Sequence, residues 1–245
     1  MKIYKLLLVF VSCFLLFEGC DMFKLDNYES PNASFKGGIK DADTGELVET
    51  DLLDGSEIRA YELGYPEGVQ IWKIKESGEF QNDLVFSAHY KIDFINCNFF
   101  PFVIDDLEIK RGENTYDFQV TPYIRIKDVS IAKLDDDVVA KFKLQASRPL
   151  EVKLKAIQLY AFSDMHVGEP IKYNIEDASS KRAFDPAVDI DEDIEYTLRI
   201  NIPRNTTEFF KYSDKNYYFR VGALADVNNV GTVRHNYAPY VAIPF

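Results

Sequence analysis

Few residues in this 245-residue chain are of the kinds that carry chemistry: it has three histidines, three cysteines and one tryptophan. Cations are also in deficit, with 28 Lys and Arg against 40 Asp and Glu and a formal charge of −12. Nucleic-acid affinity rests on cationic side chains neutralising phosphates, and no Lys/Arg cluster stands out against this acidic background, so nucleic-acid binding is excluded as a function. His89 falls within a strand pattern, His235 lies near the last strand, and His166 in the run His166-Val167-Gly168-Glu169 lacks the paired spacing of a helical zinc motif. There is no Gly-x-Ser-x-Gly elbow, no phosphate-binding glycine loop and no nucleophile context around Asn96-Cys97. The expectation is a protein that is not an enzyme, with no cofactor and no metal. The abundant carboxylates could furnish a glycosidase pair, but one sequence does not tell which two would face each other.

Long apolar runs are equally scarce. The one example is Leu6–Phe17, preceded by Lys2 and Lys5 and followed by Glu18-Gly19-Cys20. Twelve residues are too few to span a bilayer as a helix, which needs roughly 20, but they match the apolar region of an export signal. A small residue before a cysteine at the end of such a signal resembles a bacterial lipobox, which implies lipid attachment at Cys20 after removal of residues 1–19. Cys13 would leave with the signal, so Cys97 would have no disulfide partner and the fold would rest on its core alone. Removing Lys2, Lys5 and Glu18 leaves 26 positive and 39 negative groups, a net −13. Residues 20–32 are polar and without periodicity, and read as a lipidated tether.

What the chain has in plenty is aromatic and strand-forming residues, with 19 Phe and 15 Tyr. From Ala33 onward, alternating segments follow one another, separated by turn residues. Phe35–Lys40 precedes the turn Asp43-Thr44-Gly45, and Val69–Ile74 reads as a strand with Gln70 and Trp72 outward. Tyr116, Phe118 and Val120 give a clean period of two. Thr121-Pro122 interrupts that pattern, and because proline cannot donate to a ladder the domain boundary is placed there. Beyond it, Val138, Ala140, Phe142, Leu144 and Ala146 alternate with Val139, Lys141, Lys143 and Gln145. A change of parity after Ile126 predicts a bulge near Lys127. The single helix candidate is Thr206–Tyr212, with Asn205 as cap and Glu208 at capping-box spacing. Asn205-Thr206-Thr207 also fits a glycosylation sequon, which a bacterial signal makes uninformative.

The ordered series Gly38-Ile39-Lys40-Asp41, Thr44-Gly45-Glu46-Leu47-Val48, Ile58-Arg59-Ala60-Tyr61, Gly78-Glu79-Phe80 and Tyr90-Lys91-Ile92 resembles the transthyretin-like, carboxypeptidase-regulatory-like β-sandwich. The stretches 25–50, 78–86 and 116–126 are similar to an uncharacterised family of Bacteroidota lipoproteins. That family joins such a sandwich to a C-terminal immunoglobulin- or fibronectin type III-like domain; here Tyr217, Phe219, Val221 and Ala223 resemble its penultimate strand. The resemblance implies an all-β chain of two tandem sandwiches, residues 33–121 and 122–245, exported and lipid-anchored to the outer membrane at the cell surface. It also implies a place beside glycan-import systems, so polysaccharide and outer-membrane transport proteins are the expected partners. Tyr61, Tyr65 and Trp72 lie close in sequence around the loop Gly64–Gly68. If exposed together they would stack on sugar rings; the alternative is that they belong to the core. The acidic runs Asp135–Asp137 and 189–193 raise calcium binding, against which stands the reading of the first as a solvated hairpin turn and of the second as protection of a sheet edge. A further alternative is an adhesive module that docks another protein through a sheet edge.

Overall fold

The computed structural model describes residues 29–65, 68–206 and 210–245. The expected export signal, Cys20, most of the tether, Pro66, Glu67 and residues 207–209 lie outside them. Asn32–Phe245 forms one compact unit, and its elements are almost entirely strands, arranged as two tandem β-sandwiches.

The first sandwich is built from β1 (Ala33–Asp41), β2 (Glu57–Glu62), β3 (Gln70–Lys73), β4 (Glu79–Val85), β5 (Ala88–Asp93), β6 (Val103–Ile109), β7 (Gly112–Thr115) and β8 (Phe118–Val120). One sheet has the order β4-β1-β7, with β8 also pairing β1; the other has the order β3-β2-β5-β6. Alternation along each strand sends one set of side chains inward, where Phe35, Ile39, Ile58, Trp72, Phe80, Tyr90 and Phe118 are buried. Phe35 is the hub of this core, with ring centroids 5.5 Å from Trp72, 5.2 Å from Phe80 and 6.2 Å from Phe118. Each such pair adds about 0.5–1.5 kcal/mol to the burial itself.

The second sandwich consists of β9 (Ile124–Leu134), β10 (Asp137–Ala146), β11 (Lys153–Phe162), β12 (Lys181–Asp189), β13 (Glu195–Asn201), β14 (Asn216–Asp226), β15 (Asn236–Tyr237) and β16 (Val241–Pro244). Its sheets have the orders β13-β10-β9 and β12-β11-β14-β15, with β16 also on β14. The alternation expected along β10 is observed from Ala140 onward, with Ala140, Phe142 and Leu144 at 0 % exposure; Val139, expected on the outer face, is buried like Val138. The expected bulge is present too: Ser130 pairs Lys141 and Lys127 pairs Lys143, so Asp128 and Val129 share the space opposite Phe142. Asp128 takes a positive φ of 53° to make the kink. Asp135 and Asp136 form the two-residue turn between β9 and β10, again with a positive φ of 53° at Asp135, a backbone state that Asp tolerates better than most residues.

Two local expectations are corrected. Among the described residues the α-helix is α1, Ile202–Asn205; of the expected segment Thr206–Tyr212, residues 207–209 lie outside the described residues and 210–212 are not helical. Asn201 caps it, its side chain accepting from the Arg204 amide at 3.0 Å, and Pro203 fits the first turn because no partner is needed there for its missing N–H. The side-chain amide of Asn205 donates to Asp177 at 2.9 Å. In β3, Trp72 points inward and Ile71 outward, at 5 % and 41 % exposure. Both parities of that strand carry apolar residues, and the aromatic surroundings of Phe35 and Tyr90 decide between them.

A candidate binding cleft between the sandwiches

The chain passes from the first sandwich to the second at Thr121–Tyr123, and a cleft of about 580 Å³ opens beside this crossing. Its walls come from both sides: Asp41, Thr44, Glu46, Leu47 and Glu49 from the first sandwich, Arg125, Lys127, Gln145, Asn236 and Tyr237 from the second. Such a volume lies in the range of small-ligand sites, roughly 300–1,000 Å³.

One wall is held by an ion-paired fork. Asp41 ends β1 and Arg125 is the second residue of β9; the guanidinium donates from Nε to Asp41 Oδ2 at 2.5 Å and from Nη2 to Asp41 Oδ1 at 2.9 Å and Asp43 Oδ2 at 2.6 Å. Planar bidentate pairing of this kind is what arginine supplies and lysine does not. Burial by itself would raise the Asp41 carboxyl, but the Arg125 hydrogen bonds, the Asp43 amide and the guanidinium charge together hold it below its ordinary value. The pair therefore stays charged, with donors and acceptors side by side at the cleft edge.

Beneath the cleft lies Arg220 of β14, 1 % exposed. All five of its N–H groups are used: Nε donates to Ala238 O, Nη1 to Thr50 O and Val167 O, and Nη2 to Glu49 Oε2 and Glu76 O, at 2.6–3.3 Å. Its guanidinium carbon also sits 4.3 Å from the centre of the Tyr237 ring. Glu49, Thr50 and Glu76 belong to the first sandwich and Arg220 to the second, so one side chain bolts the two together. Burial raises the Glu49 carboxyl, with the Arg220 charge and hydrogen bond pulling the other way and Glu76 adding to the rise.

Tyr237 extends the network by donating its hydroxyl to Asp51 and accepting from the Glu169 amide at 3.1 Å. Desolvation pushes Asp51 up to about 6, against the opposing pull of the Tyr237 hydrogen bond and the Arg220 charge. Asn98 completes the seam: it donates to Glu49 O at 2.6 Å and His235 O at 3.1 Å, and its own carbonyl accepts from Asn236 at 2.8 Å.

The residues singled out from the sequence do not converge here. Trp72 is in the first core, its indole N–H satisfied by Gln70 at 3.1 Å, so it is no stacking platform. Tyr65 is 57 % exposed, and Tyr61 is half-buried under Arg59, whose guanidinium carbon lies 5.7 Å from the ring centre. The histidines occupy separate surroundings: His89 is exposed and 2.5 Å from Asp106, His166 is 3.1 Å from Glu76, and His235 is half-buried beside Tyr160 and Tyr237. Burial lowers the His235 pKa. It also pushes the Cys97 thiol up to about 12, which leaves a non-nucleophilic apolar group. Among the described residues, no three His, Cys, Asp or Glu side chains are gathered for a metal ion.

Two family models account for this architecture. Residues 33–121 match the N-terminal domain of DUF3823, a protein family of unknown function, and residues 124–242 match the DUF3823_C domain. The chain belongs to the DUF3823 family. The cleft is thus assembled from both DUF3823 domains, with Pro122 at the crossing between them. A crystal structure from Bacteroides uniformis, described as a "putative carbohydrate binding protein", is 47 % identical, covers 88 % of this chain and 100 % of its own, and superposes with a TM-score of 0.84. DUF3823 family proteins from Bacteroides ovatus and Parabacteroides merdae share the fold at 21 % and 16 % identity, covering 86 % and 88 % of this chain and 98 % and 100 % of their own, each with a TM-score of 0.67. No curated protein matches the chain.

Arg220 and Arg125 were missed by sequence reasoning. Arg220 did leave a signal, a lone arginine inside the apolar run Tyr217–Ala225. Arg125 left none, because an arginine that alternates with isoleucines reads as an outer-face residue.

Proposed function

We propose that this DUF3823 chain is a non-catalytic, lipid-anchored protein of the outer-membrane surface that binds a glycan in the cleft between its two sandwiches and serves a glycan-import complex. The observation that carries this reading is the cleft itself. Its edge juxtaposes charged donors and acceptors, Arg125 with Asp41 and Asp43, next to the apolar surfaces of Leu47, Pro122 and Pro239. Sugars present the same combination of hydroxyl edges and C–H faces. The likeness to the Bacteroides uniformis protein supports the same class of ligand. The transthyretin-like and immunoglobulin-like assignments of the two domains belong to this proposal; the Tyr217 hydroxyl, which accepts from the Tyr212 amide at 3.1 Å, supports the second.

Isothermal titration calorimetry against a panel of polysaccharides tests the reading. Binding by the native protein, weakened about tenfold or more by Arg125→Ala through loss of a charged hydrogen-bonding group, is the expected outcome. A protein that binds no glycan of the panel but is recovered with a membrane partner would favour the second reading, a protein-docking module. That alternative has its own observation: Leu63, Tyr65, Val69 and Ile71 are 39–57 % exposed around the edge strand β3.

A further inference from the structure

A second depression, about 430 Å³, lies on the outer face of the first sandwich. Its floor is β1, where Lys36, Gly38 and Lys40 share one parity and so one face. Register places Gln81 opposite Lys36 and Glu79 opposite Gly38 on one side, with Thr115 beside Lys36 on the other. Gly38 contributes no side chain, which leaves room for Leu47 to pack over it, and its amide donates to Asp117 at 2.9 Å. Neither lysine is an unpaired cation: Lys40 Nζ is 2.7 Å from Asp117 and Lys36 Nζ 3.1 Å from Glu113.

Groove and cleft share one wall residue, Leu47. It bridges to Lys40 through the backbone and lies over Gly38, where a Cβ would meet its side chain. At 38 % exposure it forms an apolar step between two depressions that each carry a paired cation and carboxylate. Arg125 paired with Asp41 lines one, and Lys40 paired with Asp117 lines the other together with Lys36, whose partner Glu113 lies outside the groove. A paired cation and carboxylate offer a donor and an acceptor at the spacing of neighbouring hydroxyls, while their charges cancel and give a polyanion little to gain.

We infer that the cleft and the groove are consecutive subsites for one neutral oligosaccharide, which crosses Leu47 on the C–H faces of its rings. This rests on the glycan-binding reading and adds to it the ligand's charge class and its need for length. Calorimetry with neutral gluco-, manno- and xylo-oligosaccharides from disaccharide to hexasaccharide, and with oligogalacturonates as charged comparators, tests it. The hexasaccharide of the preferred series binds at least about tenfold more tightly than its disaccharide. Lys36→Ala, and Thr115→Trp, which fills the groove from an exposed position, each remove about tenfold from the hexasaccharide and leave the disaccharide unchanged. Equal affinity for both lengths, or groove variants without effect while neutral glycans still bind, overturns the inference and leaves the glycan reading standing. Preference for oligogalacturonates overturns the neutral class. Failure to bind any glycan removes the inference together with the reading beneath it.

Discussion

Replacing Arg220 with methionine keeps most of the side chain's volume and deletes its five N–H donors and its charge. Glu49 then keeps a half-buried carboxylate without its partner, and the carbonyls of Thr50, Glu76, Val167 and Ala238 lose the donor that joined them. Removing one member of a buried pair costs about 3–5 kcal/mol. Glu49 retains 17 % side-chain exposure, which places the cost toward the lower end, at about 3 kcal/mol. Against a total stability of roughly 5–15 kcal/mol for a folded protein this is a large fraction, and for a chain of this size it corresponds to a fall in Tm of about 6–12 °C. Because the lost contacts span the two sandwiches, the penalty falls on their coupling. Calorimetric unfolding is expected to show one transition for the native protein and two for the Arg220→Met variant, the domains melting separately. In a double-mutant cycle, Glu49→Gln made in the Arg220→Met background should cost much less than Glu49→Gln alone. A loss below about 1 kcal/mol with a single sharp transition would refute the assignment of Arg220 as the bolt between the sandwiches.

Asp51 gives a pH dependence of unusual sign for a carboxylate. Its pKa is raised from 3.8 to about 6 by burial, so the native state holds the proton more tightly than the unfolded chain, and the stability this group provides is full below about pH 4 and lost as pH rises through 6. Asp51→Asn should flatten that slope and stabilise the protein above pH 6 by at most about 3 kcal/mol; parallel urea-unfolding curves for the two proteins across pH 4–7 would sink the argument. Trp72 is the chain's one tryptophan and is 5 % exposed. Its emission should be blue-shifted in the native state and unchanged on saturation with glycan, whereas a ligand-induced shift would return it to the binding surface. Trp72→Ala should cost about 3–5 kcal/mol as a core truncation, which denaturant titration measures. Growth with a labelled fatty acid should mark the native protein and not Cys20→Ser; label kept by the variant would exclude attachment at Cys20.

The parts of the fold that follow from local repetition were legible. The period of two along Ala140–Ala146, the parity change that placed a bulge near Lys127, and the Asp135-Asp136 turn each depend on neighbours within a few residues. Reading failed where a distant partner makes the choice. Val69 and Ile71 compete with Trp72 and Ile74 for the inside of β3, and only contact with Phe35 and Tyr90 settles which pair turns inward. At the helix, the described turn begins earlier than the spacing from Asn205 to Glu208 suggested, capped by Asn201, while the Asn205 amide donates to Asp177 from far along the chain. The cleft was invisible for the same reason carried further. Asp41, Arg125 and Tyr237 are brought together from distant parts of the chain, and their roles exist only once two domains have docked.

The seam formed by Arg220, Tyr237 and Asn98 has a kinetic consequence for whatever occupies the cleft. With both walls fixed before the ligand arrives, no closure step stands between encounter and complex, and little ordering entropy is spent on the protein side. Mixing experiments should therefore show a single concentration-dependent phase with no slower unimolecular one. Among ligands that differ by a sugar unit, the arrival rates should stay close together, and discrimination should be expressed in how long each one stays.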